Sequence, residues 1–172
     1  MELAARFLAT RPRSRWEVER RLKRGDAPPE VIERTVERLA ELGLVDDLAF
    51  SRWWLEQRDR HAPRGRRMLE AELRQHGIGR ETIERLRDEL AETAAEVGPA
   101  AVLDEELPHT EGERAAAALA GHLRGRPIPD DPRAQQRLGM YLVRRGFDPE
   151  TARTAIRAAT SVEDDLEDEA EG

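Results

Sequence analysis

Three segments of the chain repeat one pattern, in which a leucine is followed within four residues by a glycine and after eight residues by a glutamate. The leucine and glutamate pairs are Leu22 and Glu30, Leu73 and Glu81, and Leu142 and Glu150, and the glycines are Gly25, Gly77 and Gly146. Glycine readily adopts the left-handed conformation that ends many helices, so we expect each of the three to stop one helix shortly before the next begins. The recurrence of this pattern predicts an array of similar helical units.

The spacing of apolar residues indicates the fold class. Apolar residues recur every three or four positions nearly everywhere, and no stretch alternates in the way a β-strand would. We therefore predict an all-α fold of tandem three-helix, helix-turn-helix-like repeats that form an elongated, curved, right-handed or solenoid-like array. The expected segments are repeat 1 at 1–46, repeat 2 at 47–96, a linker at 97–109, repeat 3 at 110–160 and an acidic tail at 161–172. The tail has too few apolar residues to offset the entropy of ordering, so we expect it to be disordered.

Helix N-termini are marked by capping residues. Capping boxes are expected at Ser14 with Glu17 and at Thr110 with Glu113. In the segment GLVDDLAF, we expect Asp47 to cap the first helix of repeat 2, while Asp46 adds a charge that suits a helix N-terminus. These structural roles account for both acids without catalysis.

Two adjacent tryptophans follow in the same predicted helix. Neighbouring side chains on a helix point about 100° apart, so Trp53 and Trp54 cannot both face one core stripe. We expect one of them to lie in the core and the other to be partly exposed.

The residue types present exclude several kinds of site. The chain has no cysteine, and its four histidines, His61, His76, His109 and His122, lack the spacing of a metal site. Phosphate-binding glycine loops and nucleophile motifs are also absent. We therefore expect no catalytic residue, no metal, no cofactor and no enzymatic activity. No apolar run is long enough to span a membrane, and the first residues lack the apolar stretch of a secretory signal, so we expect a cytoplasmic protein.

The basic residues are concentrated in the first half of the chain. Residues 1–80 carry 18 bases and 14 acids, whereas 81–161 carry 11 bases and 15 acids. The candidate contact residues for a protein or nucleic acid are Arg11, Arg13, Arg15, Arg20, Arg21, Lys23, Arg24, Arg64, Arg66, Arg67, Arg144 and Arg145. Arginine can neutralise phosphates without reading sequence, but the same clusters can also form a solvated face. The glutamates interleaved with the first clusters argue against a continuous track for DNA.

Four blocks of the sequence resemble the RecX family in order and in spacing. These blocks are AARFLATRPRSRWEVERRLKRG, ELGLVDDLAFSRWW, RGRRMLEAELRQHGIGRETI and YLVRRGFDPET, and together they extend over most of residues 3–157. The family-motif positions, which we expect to be structural, are Gly43, Asp46, Asp47, Phe50, Gly77, Gly146 and Phe147.

The resemblance implies a function in homologous recombination, DNA repair and the SOS response. It implies a protein that binds RecA, lies in the groove of the RecA filament on DNA, and modulates recombinase, ATPase and coprotease activities, with inhibition the expected direction. We also expect a monomer. Weak direct binding to DNA is also expected. Two alternatives stay open: an autonomous nucleic-acid-binding protein of helix-turn-helix type, and a helical scaffold for another protein partner.

Overall fold

The computed structural model describes residues 2–97 and 110–170, apart from the side chains of residues 94, 96, 97 and 162–170. Its helices are α1 (Glu2–Leu8), α2 (Arg15–Lys23), α3 (Pro29–Glu41), α4 (Asp47–His61), α5 (Arg66–Gln75), α6 (Arg80–Val97), α7 (Glu111–Leu123), α8 (Pro132–Arg144) and α9 (Pro149–Ala170). The described residues contain no strand, which confirms the all-α fold class. Of the expected linker, Val97 ends α6, and the rest lies outside the described residues.

The last helix is longer than expected. Helix α9 continues through Ala170, so most of the segment expected to be a disordered tail has helical backbone. Extending an existing helix costs far less than nucleating one, and the segment contains four glutamates, a residue type that favours helices. The expectation of disorder considered burial alone and omitted this effect.

The repeated leucine pattern corresponds to a repeated turn. In each copy, the residue four positions after the leucine has a positive φ angle, and the next amide nitrogen donates a hydrogen bond to the leucine carbonyl oxygen. The residues with positive φ are Asp26 (56°), Gly77 (79°) and Gly146 (91°). The donors are Ala27, Ile78 and Phe147, with nitrogen-to-oxygen distances of 3.3, 3.0 and 3.3 Å.

The prediction for the first copy was wrong by one residue. Asp26, and not Gly25, adopts the left-handed conformation. The hydrogen bond to the leucine carbonyl oxygen fixes this position four residues after Leu22, and aspartate is one of the few side chains that tolerate it. A Cβ atom at Gly25 would lie 2.7 Å from Cδ2 of Leu3, so a larger residue there would require the Leu3 side chain to shift.

The capping predictions were largely correct. Both expected capping boxes are present, at the starts of α2 and α7. At the start of α4, however, Asp46 is the cap, because its Oδ1 accepts from the amides of Leu48 at 2.8 Å and Ala49 at 3.0 Å. The carboxylate of Asp47 accepts from the Arg15 amide nitrogen at 2.8 Å and is therefore used by a different helix.

The chain forms two compact units. Unit one comprises Met1–Glu56 with Glu70–Ala91, and unit two comprises Gln57–Leu69 with Glu92–Gly172. These units do not coincide with the three expected repeats, because the segment between α4 and α5 belongs to unit two. The backbone explains this assignment, since the Gly65 amide nitrogen donates to the Arg145 carbonyl oxygen at 2.9 Å.

Each unit has its own core. In unit one, α1 to α3 enclose a cluster that includes Ala4, Val18, Leu22, Val36 and Leu39, and a second cluster is formed by Leu48, Phe50, Leu73, Ile78, Ile83 and Leu86. In unit two, α7 to α9 enclose a cluster that includes Leu119, Ile128, Leu138, Leu142, Phe147 and Ile156.

The two adjacent tryptophans differ from expectation. Both Trp53 and Trp54 are half-buried and pack against the second cluster of unit one, so the expectation of one fully buried core ring was wrong, and both rings are partly exposed. The Trp54 indole Nε1 donates to Oε2 of Glu72 at 2.9 Å. A buried indole nitrogen needs such a partner, which keeps that edge of the ring near polar groups.

Candidate binding surfaces

Two of the predicted contact arginines are held within unit one. Nη2 of Arg11 donates to Oε1 of Glu17 at 2.7 Å, and its guanidinium carbon lies 5.4 Å from the Trp53 ring centre. The guanidinium carbon of Arg13 lies 3.9 Å from the ring centre of Phe7. Burial, and then the charge of Arg11, lower the pKa of Arg13. Both arginines therefore already have contacts with other side chains of unit one.

The exposed cations of α2 lie beside an exposed tryptophan. Trp16 is 38% exposed, the largest exposure among the three tryptophans, and the guanidinium carbon of Arg20 lies 4.9 Å from its ring centre. Lys23 and Arg24, also in the α2 region, are exposed. Arg15 is exposed but forms an ion pair with Glu19 at 3.0 Å.

A groove of about 890 Å³ runs between α2 and α3. We call it the α2 groove. Its lining combines apolar surface from Trp16, Ala27, Pro29 and Ile32 with the charged residues Arg15, Glu19, Arg20, Lys23, Asp26 and Glu33. A lining that combines apolar surface with charges of both signs is typical of a protein interface, whereas a nucleic-acid track carries mainly positive charge.

The position of Trp16 was not predicted from the sequence. Trp16 packs directly on Gly77. A Cβ atom on Gly77 would lie 2.3 Å from the Cβ and 2.5 Å from the Cγ of Trp16. The hydroxyl of Ser14 donates to the carbonyl oxygen of His76 at 2.6 Å, which holds the start of α2 at the same turn. The spacing of Trp16 and Arg20, four residues apart on one helix face, was the available signal.

Unit two brings together two basic segments that are distant in sequence. Besides the bond from Gly65 to Arg145, the Arg67 amide nitrogen donates to the Gly146 carbonyl oxygen at 3.3 Å. The unit-two basic cluster thus consists of Arg64, Arg66, Arg67, Arg144 and Arg145.

The members of the unit-two basic cluster differ in exposure. Arg66, Arg67 and Arg144 are exposed. Nη1 of Arg145 donates to the Pro63 carbonyl oxygen at 3.3 Å, and its guanidinium carbon lies 4.9 Å from the Tyr141 ring centre. Arg64 is half-buried and donates to the sulfur of Met68 at 3.0 Å. Arg21, in unit one, is likewise half-buried. The three exposed arginines are therefore the accessible part of the cluster.

The family-motif positions have structural contacts. Phe50 and Phe147 are the largest fully buried side chains in the described residues. Gly43, like Gly77 and Gly146, has a positive φ angle. Burial raises the pKa of the Asp47 carboxyl, although the Arg15 amide opposes that shift.

The described residues lack two further features. No described helix is long and apolar enough to cross a bilayer. Within the same residues, no three histidine, aspartate or glutamate side chains are grouped so that they could hold a metal ion.

Comparison with known proteins gives one family along most of the chain. Residues 1–39 match the family description "RecX, first three-helix domain", and residues 46–86 match "RecX, second three-helix domain". The chain is 33% identical to the regulatory protein RecX of Thermobifida fusca, over 94% of this chain and 78% of that protein. It is 34% identical to the RecX of Prosthecochloris aestuarii, over 87% and 86% of the two chains.

Solved structures agree on the fold. The crystal structure of RecX from Lactobacillus salivarius matches with a TM-score of 0.66 and 20% identity, over 91% of each chain. A second crystal structure, of a regulatory protein RecX, matches with a TM-score of 0.62 and 23% identity, over 90% of this chain and 70% of the other. With two family domains in tandem and relatives matched over most of their length, this chain belongs to the RecX family of regulatory proteins.

Proposed function

We propose that this protein binds RecA and the RecA filament on DNA as a monomer, and that it inhibits recombinase, ATPase and coprotease activities by binding alone, with no chemistry of its own. Membership of the RecX family supports the proposal. The observation in this chain that carries it is the α2 groove, in which exposed Trp16 lies under the guanidinium of Arg20.

The composition of the α2 groove favours a protein partner. Tryptophan and arginine are the residue types that most often dominate the energy of protein interfaces. Lys23 and Arg20 add positive charge, and no ion pair of either is found in the described residues. These cations can form ion pairs with carboxylates on RecA, and the guanidinium group of arginine can also bind phosphates of the DNA within the filament. Direct binding to DNA without RecA is expected to be weak.

The DNA-dependent ATPase of RecA, with this protein added at substoichiometric and equimolar amounts, tests the proposal. We expect suppression at low ratio. Arg20→Ala/Lys23→Ala should need about tenfold more protein for the same suppression, because hot-spot side chains contribute more than about 1.4 kcal/mol. Arg34→Ala/Arg38→Ala is the matched control, since it removes two exposed charges from α3 of the same unit.

Two results together would contradict the proposed function. If active RecA keeps its full ATPase and the protein does not co-sediment with RecA filaments, the proposal is wrong. Strong, salt-dependent binding to duplex DNA in the absence of RecA would then favour an autonomous nucleic-acid binder, and its absence would favour a scaffold for another partner.

A further inference from the structure

A second cavity, in unit two, differs in charge from the α2 groove. It has a volume of about 410 Å³ and is lined by the end of α7, the turn after it and one face of α8. Its polar lining residues are His122, Arg126, Arg137, Tyr141 and Arg144, and none of the described residues that line it is a carboxylate. We call it the α8 pocket. Its size falls within the usual range for a small ligand or a single nucleotide.

Helix geometry explains why the cations gather in the α8 pocket. Arg137, Tyr141 and Arg144 are spaced by four and three residues, so they share one face of α8. Arg126 reaches the pocket from the turn, where its Nε donates to the Leu123 carbonyl oxygen at 3.0 Å. That bond orients the guanidinium group at the pocket edge.

The positive charges of the α8 pocket are weakly compensated. Arg137 has Asp131 at 3.8 Å, but the two side chains are 72% and 55% exposed, and such pairs contribute little. Among the side chains that the structure describes, no carboxylate forms an ion pair with Arg144. Like charges in one cavity repel each other, so a bound anion would relieve that repulsion.

An aromatic wall lies beside these cations. The rings of His122 and Tyr141 are stacked, with their centres 4.0 Å apart and their planes at 27°. Arg145 lies over Tyr141, with its guanidinium carbon 4.9 Å from the ring centre. The exposed His122 ring can therefore take a further flat group on its outer side, as bases stack on aromatic side chains in single-strand binders.

We propose that the α8 pocket binds a phosphate group carried by a nucleic-acid strand or a free nucleotide. Arginine forks match the geometry of phosphate oxygens, and the His122 ring offers a stacking surface for the attached nucleoside. The site needs no RecA, so it stands whether or not the proposed function is correct.

The test uses the full chain without RecA. Binding of a fluorescein-labelled 15-nucleotide oligothymidylate is measured by anisotropy between about 50 and 200 mM salt, and binding of ADP and of inorganic phosphate is measured by calorimetry. Arg137→Ala/Arg144→Ala removes two pocket cations. Arg153→Ala/Arg157→Ala, on α9 of the same unit, removes two exposed cations outside the α8 pocket and is the matched control.

We expect the pocket variant to bind the oligonucleotide about tenfold more weakly than the control variant does. Its plot of log affinity against log salt should be shallower by about 1.4, for two lost phosphate contacts on a single strand. ADP binding that is lost in the pocket variant, with no binding of the oligonucleotide, would support the site with a free nucleotide as its ligand. Equal affinities in the two variants, or no binding of any of the three probes to the unmodified protein, would overturn the proposal.

Discussion

Gly65 and Gly146 are in backbone contact, and a Cβ atom on Gly65 would lie 2.2 Å from the carbonyl carbon of Gly146. Gly146 is equally confined, because its own Cβ would lie 2.6 Å from the Cβ and the amide nitrogen of Met68. This contact joins the segment before α5 to the turn before α9 within unit two. The unit-two basic cluster depends on it.

Gly65→Ala is expected to destabilise the protein by about 3 kcal/mol or more, because the atoms in its way are backbone and cannot rotate aside. Urea unfolding followed by circular dichroism measures the loss. Gly121→Ala is the control: it lies within α7 with no atom near its Cβ position, so it should stabilise by about 0.5 to 1 kcal/mol. Similar values for the two variants would contradict the close contact.

Gly77→Ala tests the support of Trp16. The substitution adds the strain of a left-handed alanine, about 1 to 2 kcal/mol, to a clash with Cβ and Cγ of Trp16. Gly43→Ala has a similar φ angle and nothing within 4 Å, so it should show the strain alone. In a Trp16→Ala background, the cost of Gly77→Ala should decrease only partly, since the Trp16 Cβ remains. Full additivity in this double-mutant cycle would show that the Trp16 ring atoms do not contribute to the clash.

Removal of one partner from a buried ion pair gives a third prediction. Nε of Arg114 donates to Oδ1 and Oδ2 of Asp59 at 3.0 and 3.1 Å, and the two side chains are only 8% and 4% exposed. Arg114→Met should therefore cost about 3 to 5 kcal/mol in the free energy of unfolding, because it removes a hydrogen-bonded cation from a buried carboxylate. Adding Asp59→Asn should restore part of that loss. A double variant that is no more stable than Arg114→Met would count against the charge explanation.

The N-cap of α9 gives a dependence on pH. The hydroxyl of Thr151 donates to Asp148, and with the amides of Thr151 and Glu150 it lowers the pKa of the Asp148 carboxyl. A lowered pKa in the folded state stabilises the protein above the unfolded pKa of about 4, and this stabilisation is lost as the pH falls through the folded pKa.

Asp148→Ala should therefore cost about 1 kcal/mol at pH 7 and less at pH 3, as measured by urea unfolding at both values. Asp130→Ala removes an exposed carboxylate from the turn before α8 and should change stability by less than about 0.5 kcal/mol. A loss for Asp148→Ala that is the same at both pH values would contradict the assignment.

The features that could be predicted from the sequence depend on contacts within a few residues. The capping boxes at Ser14 and Thr110 and the repeated turn after each leucine are of this kind. The cap of α4 was misplaced by one residue because Asp47 is used by the amide of Arg15, which lies 32 residues away. A sequence pattern that extends over a few residues cannot predict a hydrogen bond between residues so far apart.

The surfaces were harder to predict for the same reason. The two halves of the unit-two basic cluster were both identified, but only the contact of Gly65 with Gly146 brings them together. For the α8 pocket, the spacing of Arg137 and Arg144 on one helix was a usable signal, although Arg137 has no arginine next to it in the sequence. Arg126 could not have been added, because a turn carries no periodicity that places its side chain.

The contact of Gly65 with Gly146 also constrains the order in which the chain folds during synthesis. While the ribosome is still adding residues before α7, the Gly65 amide has no Arg145 carbonyl to bind, and Asp59 has no Arg114. The segment Gln57–Leu69 must therefore wait for partners made much later, whereas α1 to α3 can already close their own core. A nascent chain paused at this stage exposes the middle of the protein to proteases and chaperones after its beginning is already protected.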